Sequence, residues 1–269
     1  YFRSGKKCCC TFICEHGSLY GIVSSRIDKN GFERKRNFMI QISNLSKKYG
    51  ETVVFSDLNY TFENACIYGL VGRNGAGKTT LLNILSNYDK NYTGVISIDR
   101  KKMNKVDYLD MPVAYAMDQP SFFNELTIYE NLLLIASSRK IKKQEAFDKI
   151  ERILDGLGLK KYENYSPLEL SKGTMQRLNN ACAMIQEEKI TIFDEPFSGL
   201  DPVQMKLLEN VIVEFHKKEK GIYIISSHDI ECLQNVCDKC LLLHNGQIRE
   251  INMEEVDREE IAKILSEGE

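Results

Sequence analysis

The apolar run Cys66-Ile-Tyr-Gly-Leu-Val71 leads without a break into Gly72-Arg-Asn-Gly-Ala-Gly-Lys-Thr79, and residues Thr79 to Leu85 then have helical character. A buried strand that meets a glycine-rich turn and then a helix leaves few arrangements open. The glycines let backbone N–H groups turn inward, and the helix N-terminus adds positive potential, so the turn becomes a cradle for phosphate. The order G-x-x-x-x-G-K-[ST] also assigns side chains: Lys78 reaches the β and γ phosphates and Thr79 offers its hydroxyl to Mg²⁺. Gly72, Arg73, Asn74, Gly75, Ala76, Gly77, Lys78, Thr79 and Thr80 are therefore the candidate contacts to a nucleotide.

The remaining pattern predicts an α/β protein. Strands are expected at Met39 to Ser46, Val53 to Phe55, Leu58 to Phe62, Gly94 to Ile98, Val113 to Met117, Ile190 to Phe193, Ile222 to Ser226 and Leu241 to His244. Their near-continuous apolar character suggests a sheet covered on both faces. Helical periodicity occupies Ile128 to Ser137, Lys143 to Leu157 and Met175 to Gln186, with loops at Gly156, Gly158 and Pro167, so a helical subdomain at about 121–188 is expected between sheet strands. An acidic, amphipathic tail from Glu250, with Ile251, Val256, Ile261 and Ile264 as its apolar positions, predicts a C-terminal helix over 251–269.

Charge narrows the partners. The 36 basic and 38 acidic side chains leave a net charge of -2, far from the excess of a dedicated nucleic-acid binder, so no nucleic-acid partner is expected. Stretches without Asp, Glu, Lys or Arg such as His16 to Ser25 and Asn37 to Ser46, which none exceeds in length, are each about half the ~20 apolar residues of a membrane helix. Any membrane role must come through a partner. Residues 1–38 differ in composition, with eight basic side chains against three acidic, and the chain begins with Tyr1; Met39 reads as a natural start, with an upstream extension attached. Lys6 and Lys7 before Cys8 to Cys14 resemble the opening of a signal peptide, but Glu15 cuts the apolar run short. Cys8, Cys9, Cys10, Cys14 and His16 invite a metal reading, yet three consecutive thiols do not converge easily on one tetrahedral ion. Cys237 and Cys240 form a C-x-x-C that abuts the apolar Cys240-Leu-Leu-Leu243, where reduced thiols serve as small hydrophobes.

A second chemical element is Ile190-Thr-Ile-Phe-Asp194-Glu195, an apolar strand that delivers two acids at its end. Asp194 can hold Mg²⁺ and Glu195 can polarise a water, which together with the phosphate loop fixes nucleotide hydrolysis or transfer. A third element names a family. Leu170-Ser-Lys-Gly-Thr-Met-Gln-Arg177 resembles the LSGGQ signature of ABC ATPases, with Ser171 and Gly173 retained. The resemblance, to an ABC transporter nucleotide-binding domain, covers roughly Met39 to Arg249. In family order, Tyr49 matches the aromatic that stacks on adenine, Gln119 in Met-Asp-Gln-Pro the loop glutamine that touches Mg²⁺ and water, Ser198-Gly-Leu-Asp201 the loop that crosses the dimer interface, and His228 the switch histidine near the γ-phosphate. Lys172 replaces the first signature glycine and Thr174 the glutamine; this Ser-Lys-Gly run followed by Gln-Arg looks like a variant seen in bacterial export ATPases.

The resemblance implies a P-loop NTPase core over 39–250 with a covered mixed sheet, an antiparallel β subdomain and an inserted helical subdomain. It also implies ATP and Mg²⁺ as ligands, Glu195, His228, Lys78 and Gln119 as the catalytic set, and Thr79, Gln119 and Asp194 around the metal. A second copy, or a related ATPase subunit, supplies Ser171, Gly173 and Asp201 to the nucleotide, and a separate membrane permease docks near Gln119, with Phe122, Phe123, Leu126 and Tyr129 as candidate contacts. The expected function is ATP hydrolysis coupled to transport, with export favoured, at the cytoplasmic face of the membrane. The alternative is a non-transport ABC ATPase that clamps a soluble partner.

Overall fold

The computed structural model describes residues 38–106 and 111–252. The cysteine-rich segment and the C-terminal helix expected beyond Asn252 lie outside the described residues. Two sheets organise the fold. One is four-stranded, in the order β2-β1-β4-β5, from β1 (Met39–Tyr49), β2 (Thr52–Glu63), β4 (Thr93–Ile98) and β5 (Lys101–Lys102). Its β1 pairs antiparallel with both β2 and β4. The two short strands expected at 53–55 and 58–62 are one continuous strand. Asp57, with φ 52°, interrupts the alternation without breaking the strand, and its N–H donates to Ser46 Oγ at 2.9 Å.

The second sheet runs β10-β9-β3-β8-β7-β6, from β10 (Gln247–Ile251), β9 (Lys239–His244), β3 (Cys66–Val71), β8 (Ile222–Ser227), β7 (Ile190–Phe193) and β6 (Val113–Ala116). All its pairings are parallel except the β9–β10 hairpin. Every residue of β3, β7 and β8 is buried, which explains why these strands read as unbroken apolar runs rather than as alternation. Their side chains still divide between faces. Ile67 and Val71 of β3 join a core with the helices α2 (Ile128–Ser138), α3 (Lys143–Gly156), α4 (Lys172–Met184) and α5 (Pro202–Glu219). Tyr68 and Leu70 face the opposite way, onto α1 (Lys78–Leu85) and the inner side chains of β1 and β2, including Ile40, Phe55 and Phe62. Fully burying each large aliphatic side chain contributes ~1.5–3 kcal/mol, so the doubly covered sheet is the dominant source of stability.

Local sequence fixes the helix ends. Thr127 caps α2 by accepting from the Glu130 N–H at 3.2 Å, while Glu130 Oε2 accepts from the Thr127 N–H at 2.8 Å. Ser171 caps α4 and Asp201 caps α5, the latter accepting from the Gln204 N–H at 2.9 Å with Pro202 at the first helical position. Among the elements beyond those expected from the sequence pattern are the 18-residue α5 and the strand β10. A short helix α6 (Glu231–Gln234) follows β8. The C-x-x-C thiols behave as expected. Cys237 and Cys240 are free, and burial pushes the Cys240 thiol up to about 12, which keeps it protonated and inert.

Candidate nucleotide site

The parallel strands β3, β8 and β7 are neighbours, and their carboxyl ends deliver the phosphate loop, His228 and the Asp194–Glu195 pair to one edge of the sheet. Crevices at such an edge are where open α/β sheets bind ligands. Gly75 and Gly77 hold φ of 80° and 100°, in the left-handed region where a Cβ is strained. A Cβ on Gly72 would stand 2.8 Å from the Leu243 carbonyl oxygen of β9, so the loop must leave the sheet as glycine.

The functional side chains meet just beyond. Lys78 is 7% exposed, and its ammonium donates to the Gly72 carbonyl at 2.7 Å while lying 3.4 Å from Glu195 Oε1. On the other side of the same carboxylate, His228 Nδ1 is 3.0 Å from Oε2. Asp194 is fully buried, and Ser226 Oγ donates to its Oδ1 at 2.6 Å. Tyr115 adds a longer contact from its hydroxyl to Oδ2 at 3.5 Å. Burial holds the Asp194 carboxyl above the usual carboxylate range, an effect opposed by hydrogen bonds from Ser226 and Thr79 and reinforced by the charge of Glu195. A desolvated carboxylate bonded to the hydroxyl of Thr79 is an oxygen donor set suited to a hard cation such as Mg²⁺.

Ser171, Gly173 and Asp201 form a second group. A Cβ on Gly173 would meet the Gly199 carbonyl oxygen at 2.8 Å, so the start of α4 packs directly on the loop that leads to α5. Thr174, which stands where the signature has glutamine, is buried: its hydroxyl is 2.9 Å from Ser171 Oγ and accepts from an Arg177 guanidinium N–H at 3.2 Å. Arg177 in turn donates to the Leu157 carbonyl at 2.7 Å, tying the signature serine to the end of α3. Lys172 lays its carbon stem beside Gly199 and stays exposed.

Tyr49 and Gln119 are both exposed. Tyr49 is 53% exposed at the end of β1; its hydroxyl donates to Asp89 Oδ2 at 3.1 Å, and the Lys47 ammonium lies 4.5 Å from its ring centroid. Gln119 is exposed on the segment after β6, where Asn179 of α4 donates to the nearby Met117 carbonyl at 2.7 Å. Sequence reading passed over several residues that build this site. Ser226, Gln176, Asn179 and Asn180 lie on the elements that carry the motifs, but their contacts are long-range, and only the pairing of β7 with β8 and the docking of α4 reveal them.

No helix among the described residues is long and apolar enough to cross a membrane. Comparison with known proteins agrees with the geometry. Residues 55–198 match the ABC transporter family. An ABC transporter ATP-binding protein of Methanocaldococcus jannaschii is 32% identical over 77% of this chain and 75% of its own length. The bacitracin transport ATP-binding protein of Enterococcus faecalis is 30% identical over 82% and 71% respectively. The tungstate uptake system ATP-binding protein of Peptoclostridium acidaminophilum is 30% identical over 78% and 97%. Among solved structures, the ATP-binding subunit of an ABC transporter superposes with a TM-score of 0.74 at 27% identity, covering 84% of this chain and 94% of that one. A dimeric bacterial ABC transporter cassette shares the fold, with a TM-score of 0.70 at 23% identity over 79% of this chain and 98% of that one. The chain belongs to the ABC transporter family, as the ATP-binding, ATP-hydrolysing subunit of such a transporter.

Proposed function

We propose that this subunit powers export through a separate membrane permease, working at the cytoplasmic face of the membrane, and that the residues gathered beyond β3, β7 and β8 carry the hydrolysis. The observation that supports this most is the convergence of Lys78 and His228 on the two oxygens of the Glu195 carboxylate, at 3.4 and 3.0 Å. Transfer of a phosphoryl group to water requires alignment and charge neutralisation more than covalent help. Glu195 serves as the base that orients the water. Lys78 moves from its carbonyl and carboxylate contacts onto the β and γ phosphates, and His228 donates to the γ-phosphate. The inward-facing N–H groups of Gly72–Thr79 hold the remaining phosphate oxygens, and Tyr49 stacks on adenine.

Thr79, Asp194 and Gln119 are the residues that would hold Mg²⁺. The ion would neutralise phosphate charge there. Ser171, Gly173 and Asp201 face the nucleotide of a second copy or a related subunit, so that two cassettes close on ATP and reopen after hydrolysis. The Ser171-Lys172-Gly173 signature supports reading the direction as export, whereas the tungstate uptake relative favours the opposite direction.

Glu195→Gln keeps the shape of the carboxylate and removes its basicity. The expected result is ATP binding at the wild-type level with turnover abolished. Turnover at the wild-type rate would remove Glu195 from the mechanism. Direction is read from inside-out vesicles containing the permease: ATP-dependent accumulation of cargo supports export, and ATP-dependent release of preloaded cargo contradicts it.

A further inference from the structure

Glu195 sits at φ 49°, a left-handed conformation that costs a residue with a Cβ ~1–2 kcal/mol and persists only where its surroundings impose it. The Ser198 N–H closes a turn onto the Glu195 carbonyl at 3.1 Å, and two longer-range contacts fix the conformation further. The Glu195 N–H donates to Ser226 Oγ at 2.9 Å, and the Glu195 carbonyl accepts from Gln176 Nε2 of α4 at 3.2 Å. Ser226 does more than accept. Its hydroxyl also donates to Asp194 Oδ1 at 2.6 Å, and the side chain is fully buried. Because its lone pair receives the Glu195 N–H, the hydroxyl proton is committed to Asp194, and a rotor that is usually free is fixed at both ends. The register explains the placement: β7 pairs with β8 through Phe193 and Ile225, so Asp194 and Ser226 are the next residues along each strand.

We propose that Ser226 is a positioning residue for hydrolysis, one oxygen that sets both the side-chain orientation of Asp194 and the backbone conformation from which Glu195 projects. This rests on the roles given above to Asp194 and Glu195. Loss of the hydroxyl frees the Asp194 carboxylate to rotate and takes from the part-buried Glu195 N–H its acceptor. Misplacement of a reacting group by about 1 Å costs on the order of 10²-fold in rate.

The test compares Ser226→Ala, Ser226→Thr and Glu195→Gln in the full chain, measuring ATP binding by equilibrium titration and phosphate release at saturating and limiting ATP. Ser226→Ala is expected to lower kcat by about 10²-fold with KM and ATP affinity unchanged, and Ser226→Thr, which keeps the hydroxyl, is expected to recover most of the rate. Three results would overturn the proposal: a wild-type kcat in Ser226→Ala, a loss of ATP binding in parallel with turnover, or a threonine variant no better than the alanine one. Glu195→Gln separates the two readings. If it stays active, the base assignment itself fails; if it is inactive while Ser226→Ala turns over normally, only the role of Ser226 fails.

Discussion

The Lys78 ammonium lies 3.4 Å from Glu195 Oε1, so the cation of the phosphate loop and the carboxylate at the end of β7 hold one another. The pair is largely buried, with 7% and 19% of the side chains exposed, and its partners are therefore poorly replaced by water. In the proposed mechanism a triphosphate would draw Lys78 off Glu195 and free the carboxylate.

Lys78→Met keeps the length of the side chain and deletes the charge. The loss of one preorganised contact to developing charge costs about 10²–10³-fold in turnover, and ATP affinity falls as well. Phosphate-release assays and nucleotide titration check both, and unchanged values in either would contradict the role given to this lysine.

Asp194 supplies a prediction with a sign. Burial raises its folded-state pKa above the unfolded value, so the protonated form is the one the fold prefers. Its contribution to stability is fully present below the unfolded pKa and is lost as pH rises through the folded pKa. At neutral pH the ionised group therefore weakens the fold, and Asp194→Asn is expected to raise Tm while abolishing turnover. A gain of about 1 kcal/mol is visible as a Tm increase of roughly 2–4 °C in a domain of this size. The difference between mutant and wild type should shrink in thermal scans as the pH is lowered towards the carboxylate range. A Tm decrease at pH 7 would contradict the assignment of burial as the dominant influence.

Gly173→Ala places a methyl group 2.8 Å from the Gly199 carbonyl oxygen and pushes the start of α4 away from the loop before α5. That contact lies in the Ser171 group, not among the residues around Lys78. Turnover is expected to fall at least tenfold while the affinity of the isolated chain for ATP stays within about twofold, because one pair of contacts fails and the other is untouched. Titration and phosphate release measured together check it, and an equal loss in both would contradict the separation of the two groups.

The parts legible in the sequence were those whose chemistry is local. The phosphate loop, the two acids after β7 and the signature each lie within a short stretch, and the strands that bear them are apolar throughout because both faces are covered. What escaped was either overlooked punctuation or long-range. Asp201-Pro202 is a cap followed by a first-turn proline, and Leu208, Val211, Ile212 and Phe215 keep helical spacing on the buried side of α5. Asn245-Gly246, with φ of 47° and 71°, is the two-residue turn that announces the β9–β10 hairpin. Ser226 is different. In the sequence it is one more small residue at a strand end, and only the side-by-side placement of β7 and β8 turns it into the common partner of Asp194 and Glu195. The same holds for Thr174, where the departure from the signature becomes an inward-facing link between Ser171 and Arg177.

Sedimentation velocity of the Glu195→Gln chain, with and without ATP, tests the central claim most directly, since a variant that binds ATP without cleaving it should trap the closed state. The account predicts a monomer without nucleotide and a dimer with ATP, reversed by a further Ser171→Arg substitution that leaves binding to the phosphate loop intact. A chain that binds ATP yet stays monomeric at every nucleotide and protein concentration would contradict it.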